Sequence, residues 1–246
     1  MTMTTKTITG ALAAALLATA PQGAMAQSTP AATSSITAGG TIAKTDSDTL
    51  TSEQIAANGE KTVIIHFISG VTYWTGLQLV VMVQEYYKNG YRKFLMPIQT
   101  IGGDVLSSMH AYETLSRMPI EFTTVATGNV DSAGVFLYCI GQKRYASPGA
   151  SFLFHPISGS LNPNRRGEEA AERQIESVNQ WVSTVHTDCF GEPPEAWDLE
   201  RRDYRVMTDE ASEVGLVNAG ADYFEGVGDI GDVAYITYAP TYPSAQ

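Results

Sequence analysis

The chain has 246 residues, of which 43% are hydrophobic, and it carries a formal net charge of −11 at pH 7. This apolar content is enough for a proper core, and the length fits one large domain or two small ones. The excess of acidic residues argues against a protein that binds nucleic acid or an anionic membrane, because both of these partners are negatively charged themselves.

The first 26 residues have the composition of a secretory signal. Lys6 precedes the apolar run ALAAALLATA, and Ala24-Met25-Ala26 matches the small-residue pattern of a cleavage site. About ten strongly apolar residues are too few to span a bilayer. The sequence therefore predicts cleavage after Ala26 and a periplasmic or secreted protein. Residues 27–60 are rich in Ser, Thr, Ala and Gly, which predicts a flexible leader.

From Lys61 onwards, strand and helix patterns alternate. The near-continuous apolar run TVIIHFISG predicts a strand covered on both faces, and residues 72–88 predict a helix that is apolar nearly all round. A second strand, KFLMPIQ, runs into Gly102-Gly103, and a third, EFTTVAT, runs into GNVDSAG. Two short strands follow, KRYAS and SFLFH. This alternation predicts βαβ units and a mostly parallel sheet in an α/β domain over residues 61–225.

The later part of this domain is predicted to be mainly helical. A helix over residues 168–188 has apolar residues on one face only, so it packs against the rest of the chain on that side. Residues 226–246 show no clear period and predict a C-terminal tail. Cys139 and Cys189 both fall in helical stretches, and two interpretations stay open: a disulfide formed after export, or two buried thiols.

The chain lacks the sequence patterns of the common cofactor sites. Neither cysteine shares metal-ligand spacing with a cluster of histidine or acidic residues. The segment IGGDVLS lacks the third glycine of the dinucleotide fingerprint, and no Walker motif is present. We therefore expect neither a metal nor a cofactor.

Ser132 is the strongest candidate for a nucleophile. It lies where a predicted strand meets a predicted helix, and the turn at Gly102-Gly103 can offer backbone N–H groups to an oxyanion. A serine nucleophile needs a base, and His155 is the histidine that lies at a strand end beside a polar loop. The other histidines are expected inside a strand or in helices: His66, His110 and His186.

A base histidine also needs an acceptor that fixes its tautomer and stabilises the imidazolium. Asp209 already has an explanation as a charge at the start of a helix. Four acidic residues are candidates for the acceptor, and the pattern of residues alone does not choose among them: Asp198, Glu200, Asp203 and Asp209.

Three segments together resemble the proteolytic subunit of the Clp protease (ClpP). They are IQTIGGDVLSSMHAYETL, GNVDSAGVFLYCIGQKRYASPGASFLFHP and RDYRVMTDEASEVGLVN, and they follow the family order with similar separations over residues 62–222. The family patterns are S-P-G-G at the first turn, A-S-M-G around the nucleophile and I-H-Q-P around the base. The combination of double glycine, serine turn and histidine is specific, although each element alone is not.

The resemblance implies a serine endopeptidase with a Ser-His-Asp triad. Ser132 resembles the nucleophile, His155 the general base and Asp203 the third member, while the N–H groups of Gly103 and Ala133 resemble the oxyanion donors.

The same resemblance implies a ClpP/crotonase-like βαβ spiral with a mostly parallel sheet. The helix at 168–188 would be the protruding handle through which two rings stack, and the protein would be a homo-oligomer. The family's usual partners are ATP-driven unfoldases in the cytoplasm, and the periplasm lacks ATP. We therefore expect peptides or unfolded proteins as substrates, and no such motor as a partner.

Four residues depart from the family patterns. Ile101 replaces the proline of the glycine turn, Ala133 replaces a methionine, and Pro156 replaces the polar residue after the histidine. Asp131 replaces a small residue just before the nucleophile, where a carboxylate can oppose an oxyanion. The triad residues are all present, and these four changes bear on the substrate preference, which the resemblance alone does not give.

Two other functions are compatible with the sequence. One is a catalytically inactive scaffold or binding protein that kept the fold. The other is a crotonase-like enzyme acting on acyl thioesters, whose oxyanion hole is also built from backbone N–H pairs. The second is the less favoured, because exported proteins rarely meet coenzyme A.

Overall fold

The computed structural model describes residues 35–37, 50–157, 168–199, 201–220 and 227–237. All of these residues belong to one structural unit, residues 31–246. The predicted signal peptide at 1–26 lies outside the described residues. None of the helices in the described part of the chain is both long enough and apolar enough to cross a membrane.

Strands and helices alternate as the sequence predicts between residues 61 and 155. The described strands are β1 (Ser35–Thr37), β2 (Thr62–Ile68), β3 (Lys93–Thr100), β4 (Glu121–Asp131), β5 (Lys143–Ala146), β6 (Ser151–Phe154), β7 (Tyr204–Met207) and β8 (Ile230–Thr237). The described α-helices are α1 (Ser52–Asn58), α2 (Tyr73–Lys88), α3 (Val105–Leu115), α4 (Ala133–Tyr138), α5 (Glu168–Phe190) and α6 (Thr208–Glu213), and a short 3-10 helix covers Glu195–Trp197.

The described strands form one sheet in the order β1-β8-β2-β3-β4-β6-β7, and β5 pairs with β4 beside this path. All neighbouring pairs are parallel except β6 with β7. β4 changes partner along its length, because residues 123–126 pair with β5 and residues 129–131 pair with β6. The prediction of an α/β fold with a mostly parallel sheet is confirmed.

Side-chain caps fix the starts of the two helices that follow β2 and β3. Thr72 and Thr75 form a capping box at the start of α2, each accepting from the other's backbone N–H. Asp104 caps α3 by accepting from the N–H of Ser107 at 2.7 Å. The helix α4 is buried along its whole length, so it lies inside the core instead of covering it.

The predicted domain limits at 61 and 225 are too narrow. The predicted leader contains α1, which begins with a capping box between Thr51 and Gln54, and also β1. The predicted tail contains β8, which pairs with all of β2 and with β1. A strand of this kind is defined by a partner far away in the sequence, so its own residues showed no period.

A disulfide joins Cys139 to Cys189, which resolves the choice left open by the sequence. It links the end of α4 to the end of α5. Beside it, the buried guanidinium of Arg144 donates to the carbonyl oxygens of Cys189 and Leu216 at 2.5 and 2.8 Å, and also to those of Gly141 and Gly215. These carbonyls lie at or just beyond the ends of α4, α5 and α6, so one side chain satisfies acceptors from three helices.

Candidate active site

The double-glycine turn follows the carboxyl end of β3 and lies against the turn that carries Ser132. Gly102 has a φ of 78° and Gly103 a φ of 145°, both in the region that favours glycine. A Cβ on Gly102 would lie 2.6 Å from Ser132 Cβ and closer still to the carbonyl oxygen of Asp131. Only a residue without a side chain allows the two turns to approach this closely.

Ser132 stands between β4 and α4 in a strained backbone conformation. Its φ is 55° and its ψ is −127°, which is uncommon for a residue other than glycine. Its N–H donates to the carbonyl of Leu153 at 2.7 Å, so the β4–β6 ladder continues up to the serine. This sharp strand-to-helix turn resembles the nucleophile turn of α/β-hydrolases.

The helix after Ser132 is fixed by two close contacts. Gly134 lies so near Thr100, the last residue of β3, that a Cβ at this position would overlap the threonine methyl group. The buried hydroxyl of Ser108 on α3 donates to the carbonyl of Ala133 at 2.9 Å. The serine turn is therefore packed against β3 and hydrogen-bonded to α3.

His155 follows β6 and contacts Ser132 directly. Its Nε2 lies 2.7 Å from Ser132 Oγ, and its Nδ1 lies 2.7 Å from the carbonyl oxygen of Pro156. A carbonyl oxygen can only accept, so Nδ1 carries the proton and donates. In the neutral imidazole Nε2 is then free to accept the serine proton. This is the tautomer that a general base requires.

Asp203 does not contact His155 in this structure. It is exposed, and within the described part of the chain its side chain makes no hydrogen bond or ion pair. Its position is nevertheless close, because the antiparallel ladder of β6 and β7 ends with Phe154 opposite Tyr204. One further step in that register brings Asp203 opposite His155. The acceptor that orients the imidazole here is the Pro156 carbonyl, not the predicted carboxylate.

The two predicted oxyanion donors come from neighbouring turns. Gly103 follows Gly102, the residue that lies against Ser132. The N–H of Gly103 has no acceptor among the described residues. Ala133 is the first residue of α4, where an N–H has no partner within the helix. Both residues thus belong to the two turns that meet at Ser132.

The three other histidines lie away from this turn. His66 on β2 stacks against Tyr235, with ring centroids 4.9 Å apart. His110 lies exposed on α3. His186 on α5 is buried among aromatic rings, and burial lowers its pKa to about 4. Ser132 therefore has one histidine neighbour, His155.

Sequence reasoning missed the partner of Asp131. The guanidinium of Arg205 on β7 donates to both carboxylate oxygens, with Nη1–Oδ1 at 3.0 Å and Nη2–Oδ2 at 3.2 Å. Nη1 also donates to Ser151 Oγ at 2.8 Å. The carboxylate beside Ser132 is therefore paired. An acidic residue in a buried strand end was the one signal in the sequence that a cationic partner was needed.

The sequence model of the Clp protease family matches residues 63–221, which is more than half of the chain. The chain belongs to the Clp protease family. Membership of the Clp protease family supports a peptidase, and it agrees with the resemblance found in the sequence. The described residues contain no group of histidine, cysteine or acidic side chains that could hold a metal ion.

A solved structure of a Clp protease subunit has the same fold. The chain is similar to a mutant of ClpP1 from Listeria monocytogenes at 19% sequence identity, with a TM-score of 0.58. The match covers 68% of this chain and 95% of the Listeria chain. At this identity the likeness shows the fold alone, so the roles of individual residues rest on the geometry of the site.

Proposed function

We propose that this Clp protease family member is an exported serine endopeptidase in which Ser132 is the nucleophile and His155 the general base. The 2.7 Å contact between Ser132 Oγ and His155 Nε2 carries this proposal. It is supported by the carbonyl of Pro156, which holds the imidazole in the accepting tautomer. The strained conformation of Ser132 adds support, because backbone strain of this kind concentrates at active sites.

The reaction follows from these positions. His155 Nε2 takes the proton of Ser132 as Oγ attacks the carbonyl carbon of a peptide bond, and the N–H groups of Gly103 and Ala133 donate to the oxyanion that forms. The imidazolium then gives its proton to the leaving amine, which leaves an acyl-enzyme. Water, deprotonated by the same imidazole, attacks the acyl carbon, and release of the acid regenerates the serine.

Asp203 is proposed as the third member of the triad. Its place beyond the last β6–β7 pair puts its backbone next to that of His155, so a change of side-chain rotamer can bring the carboxylate to the imidazole. A carboxylate there would stabilise the imidazolium more strongly than the Pro156 carbonyl, which carries no net charge.

The proposed location is the periplasm or the exterior of the cell. The proposal is supported by the composition of residues 1–26, with cleavage expected after Ala26. The disulfide between Cys139 and Cys189 also supports it, because such bonds persist in oxidising compartments. Without ATP in that compartment, the substrates are peptides or unfolded proteins that need no motor.

We also propose a homo-oligomer, as expected for a Clp protease. Large apolar side chains are exposed near the double-glycine turn, among them Trp74 at 71% and Ile101 at 80%. Patches of this kind are unusual on a monomer and typical of contact surfaces. The stacking role of α5 belongs to the same proposal. Light scattering should give a closed assembly, and a monomer at micromolar concentration would contradict this.

A fluorophosphonate probe tests the proposed chemistry most directly. The probe reacts with an activated serine, so the protein should gain one adduct on the peptide that contains Ser132. The variant Ser132→Ala is the matched control and should gain none. An inactive scaffold, or a crotonase-like enzyme without an activated serine, would leave the wild-type protein unlabelled under conditions in which a known serine peptidase reacts completely.

A further inference from the structure

We propose that the ion pair between Asp131 and Arg205 is a positioning device for the active site. It acts through Ser132 and His155 without touching the substrate. The proposal rests on the function proposed above, since it concerns how the same site is held. It starts from the position just before the nucleophile, where the chain has an acidic residue in place of the small residue of the ClpP pattern.

The pair bridges the strands that carry the site. Leu153 on β6 lies opposite Asp131 of β4 on one side and opposite Arg205 of β7 on the other. The ion pair therefore spans three adjacent strands. Ser132 follows Asp131 directly, and His155 lies two residues after Leu153. A displacement of β7 or β4 across β6 would thus move the nucleophile relative to its base, and the pair opposes that displacement.

The pair has the geometry of a specific contact. Both nitrogens at the end of the guanidinium contact the carboxylate, one on each oxygen, an arrangement that fixes direction as well as distance. The Asp131 side chain is only 11% exposed and that of Arg205 is 39% exposed. Ser151 Oγ accepts from the same guanidinium and lies 3.2 Å from Asn129 Oδ1. Arg205 therefore contacts Asp131 across β6 and Ser151 on β6 itself.

The pair also sets the local charge. A buried carboxylate without a partner would favour the protonated imidazole of His155 and oppose an oxyanion on Ser132. Arg205 from β7 supplies the balancing charge. The β6 residues that contact or pair with the two, Ser151 and Leu153, are uncharged. Among the described residues, the other titratable or charged groups on or beside β6 and β7 include His155 itself, Arg202 and Asp203, which precede β7, and Tyr204 on β7.

Two single substitutions and their combination test the proposal. In Arg205→Gln the carboxylate of Asp131 loses its positively charged partner. In Asp131→Asn the guanidinium of Arg205 loses its negatively charged partner. Both should lower kcat by about 10²-fold with little change in KM, because substrate binding is untouched while the serine and imidazole are displaced. Their acid limbs should move in opposite directions, to higher pH in Arg205→Gln and to lower pH in Asp131→Asn, by on the order of one pH unit.

The double variant Asp131→Asn/Arg205→Gln restores neutrality and keeps two amides that can bond to each other. It should recover most of kcat and return the acid limb to its wild-type position. Arg201→Gln is the matched control, because Arg201 is 81% exposed in a surface ion pair with Asp198 and should change neither quantity. A pair that serves stability alone would lower the melting temperature in both single variants without opposite movements of the pH profile.

A second measurement does not depend on turnover. The imidazole of His155 can be followed by NMR in the Ser132→Ala background, with His155→Ala to assign its signal. Its titration curve should move to higher pH with Arg205→Gln and to lower pH with Asp131→Asn. Movements in the same direction, or none in folded variants, would overturn the positioning role. An unlabelled wild-type serine would instead overturn the proposed function, whichever way the titration moves.

Discussion

The two halves of the candidate site are held by different kinds of contact. The serine half is the turn around Ser132 with the double-glycine turn beside it. Glycines that no other residue could replace and a buried helix fix this half. The histidine half consists of His155, Pro156 and Asp203 at the ends of β6 and β7. It is more exposed, and its position depends on the ladder between two four-residue strands.

This difference suggests that the serine half is the more rigid of the two and the histidine half the more adjustable. Ser132 is set by local backbone geometry and close packing, and the structure leaves it little freedom. His155 is set by strand pairing and by one carbonyl oxygen, and the carboxylate of Asp203 is not in contact with it. Changes to the serine half should therefore abolish the chemistry, whereas changes to the histidine half should weaken it in graded steps.

The largest expected effect comes from the two residues in direct contact. Ser132→Ala and His155→Ala should each lower peptide hydrolysis by roughly 10⁴- to 10⁶-fold, as expected when a member of a catalytic unit is removed. Thermal unfolding should change little, because neither change leaves a buried group unpaired. His110→Ala is the control, since that histidine is exposed on α3. Near wild-type turnover in either variant would make the assignment wrong.

The same difference explains which parts could be predicted from the sequence. The strands β2 to β6 and the turns after β3 and β4 follow from local patterns: apolar runs, glycines and capping residues. The sequence does not predict the short strand β7, and it predicts a tail where β8 lies. Four residues of β7 show no usable period, and β8 is specified by pairing with β2 from far along the chain.

At the level of the site, the sequence predicted the contact between Ser132 and His155 but not what surrounds it. The pairing of Asp131 with Arg205 joins residues 74 positions apart, and no local pattern relates them. The acceptor for the imidazole is a backbone carbonyl, which every residue has and no sequence motif marks. The sequence identifies the candidate side chains, but it does not identify their hydrogen-bond partners on other strands.

The next effect concerns the disulfide, which joins the serine half to the long helix after the histidine half. The double variant Cys139→Ser/Cys189→Ser frees a loop of 50 residues. We expect the free energy of unfolding to fall by about 4 kcal/mol. The folded variant should still react with the fluorophosphonate, because the serine turn has its own contacts. Chemical denaturation measures the loss.

A reducing agent provides the control for this measurement. It should destabilise the wild-type protein by a similar amount and leave the double variant unchanged. If the variant unfolds at the wild-type denaturant concentration, α5 is held by its packing and by Arg144 alone. If the folded variant fails to label, the serine half depends on α5 more than its contacts indicate.

A third effect concerns His186, near the C-terminal end of α5, and depends on pH. His186 lies among Phe136, Phe154 and Phe190, with ring centroids 5.3 to 5.8 Å apart, and burial lowers its pKa to about 4 from an ordinary 6.5. The unfolded chain binds a proton at this residue below pH 6.5 and the folded chain does not. Stability is therefore full above pH 6.5 and is lost as the pH falls towards 4, by about 3 kcal/mol in total.

The variant His186→Phe isolates this contribution, because a phenyl ring suits the aromatic neighbours and cannot titrate. Denaturation at several pH values between 4 and 7 should give a steeper loss for the wild-type protein than for the variant. Parallel curves would mean that His186 is protonated in the folded protein and has an acceptor. The difference between the two curves removes the contribution of the carboxylates, which is common to both proteins.

The smallest of these effects tests the role of Asp203 in the histidine half. Asp203→Asn should lower kcat by about 10²-fold, less than the roughly 10⁴-fold loss seen when a triad aspartate alone fixes the tautomer. The loss is smaller because the Pro156 carbonyl already accepts from Nδ1 and fixes the tautomer. The variant therefore loses only the negative charge of Asp203, which would stabilise the imidazolium of His155. Asp198→Asn and Asp209→Asn are the matched controls and should be close to neutral, since Asp198 pairs with Arg201 at the surface and Asp209 lies in the first turn of α6.

Measuring the three variants together decides how the base is supported. If only Asp203→Asn is impaired, the carboxylate reaches His155 during catalysis although the two do not touch in this structure. If Asp209→Asn is the impaired variant, the alignment of this segment with the family aspartate is shifted. If none is impaired, the Pro156 carbonyl is the whole support, and the site works as a Ser132–His155 dyad. The histidine half would then owe its geometry to strand pairing and to the Asp131–Arg205 pair, with no contribution from a third catalytic carboxylate.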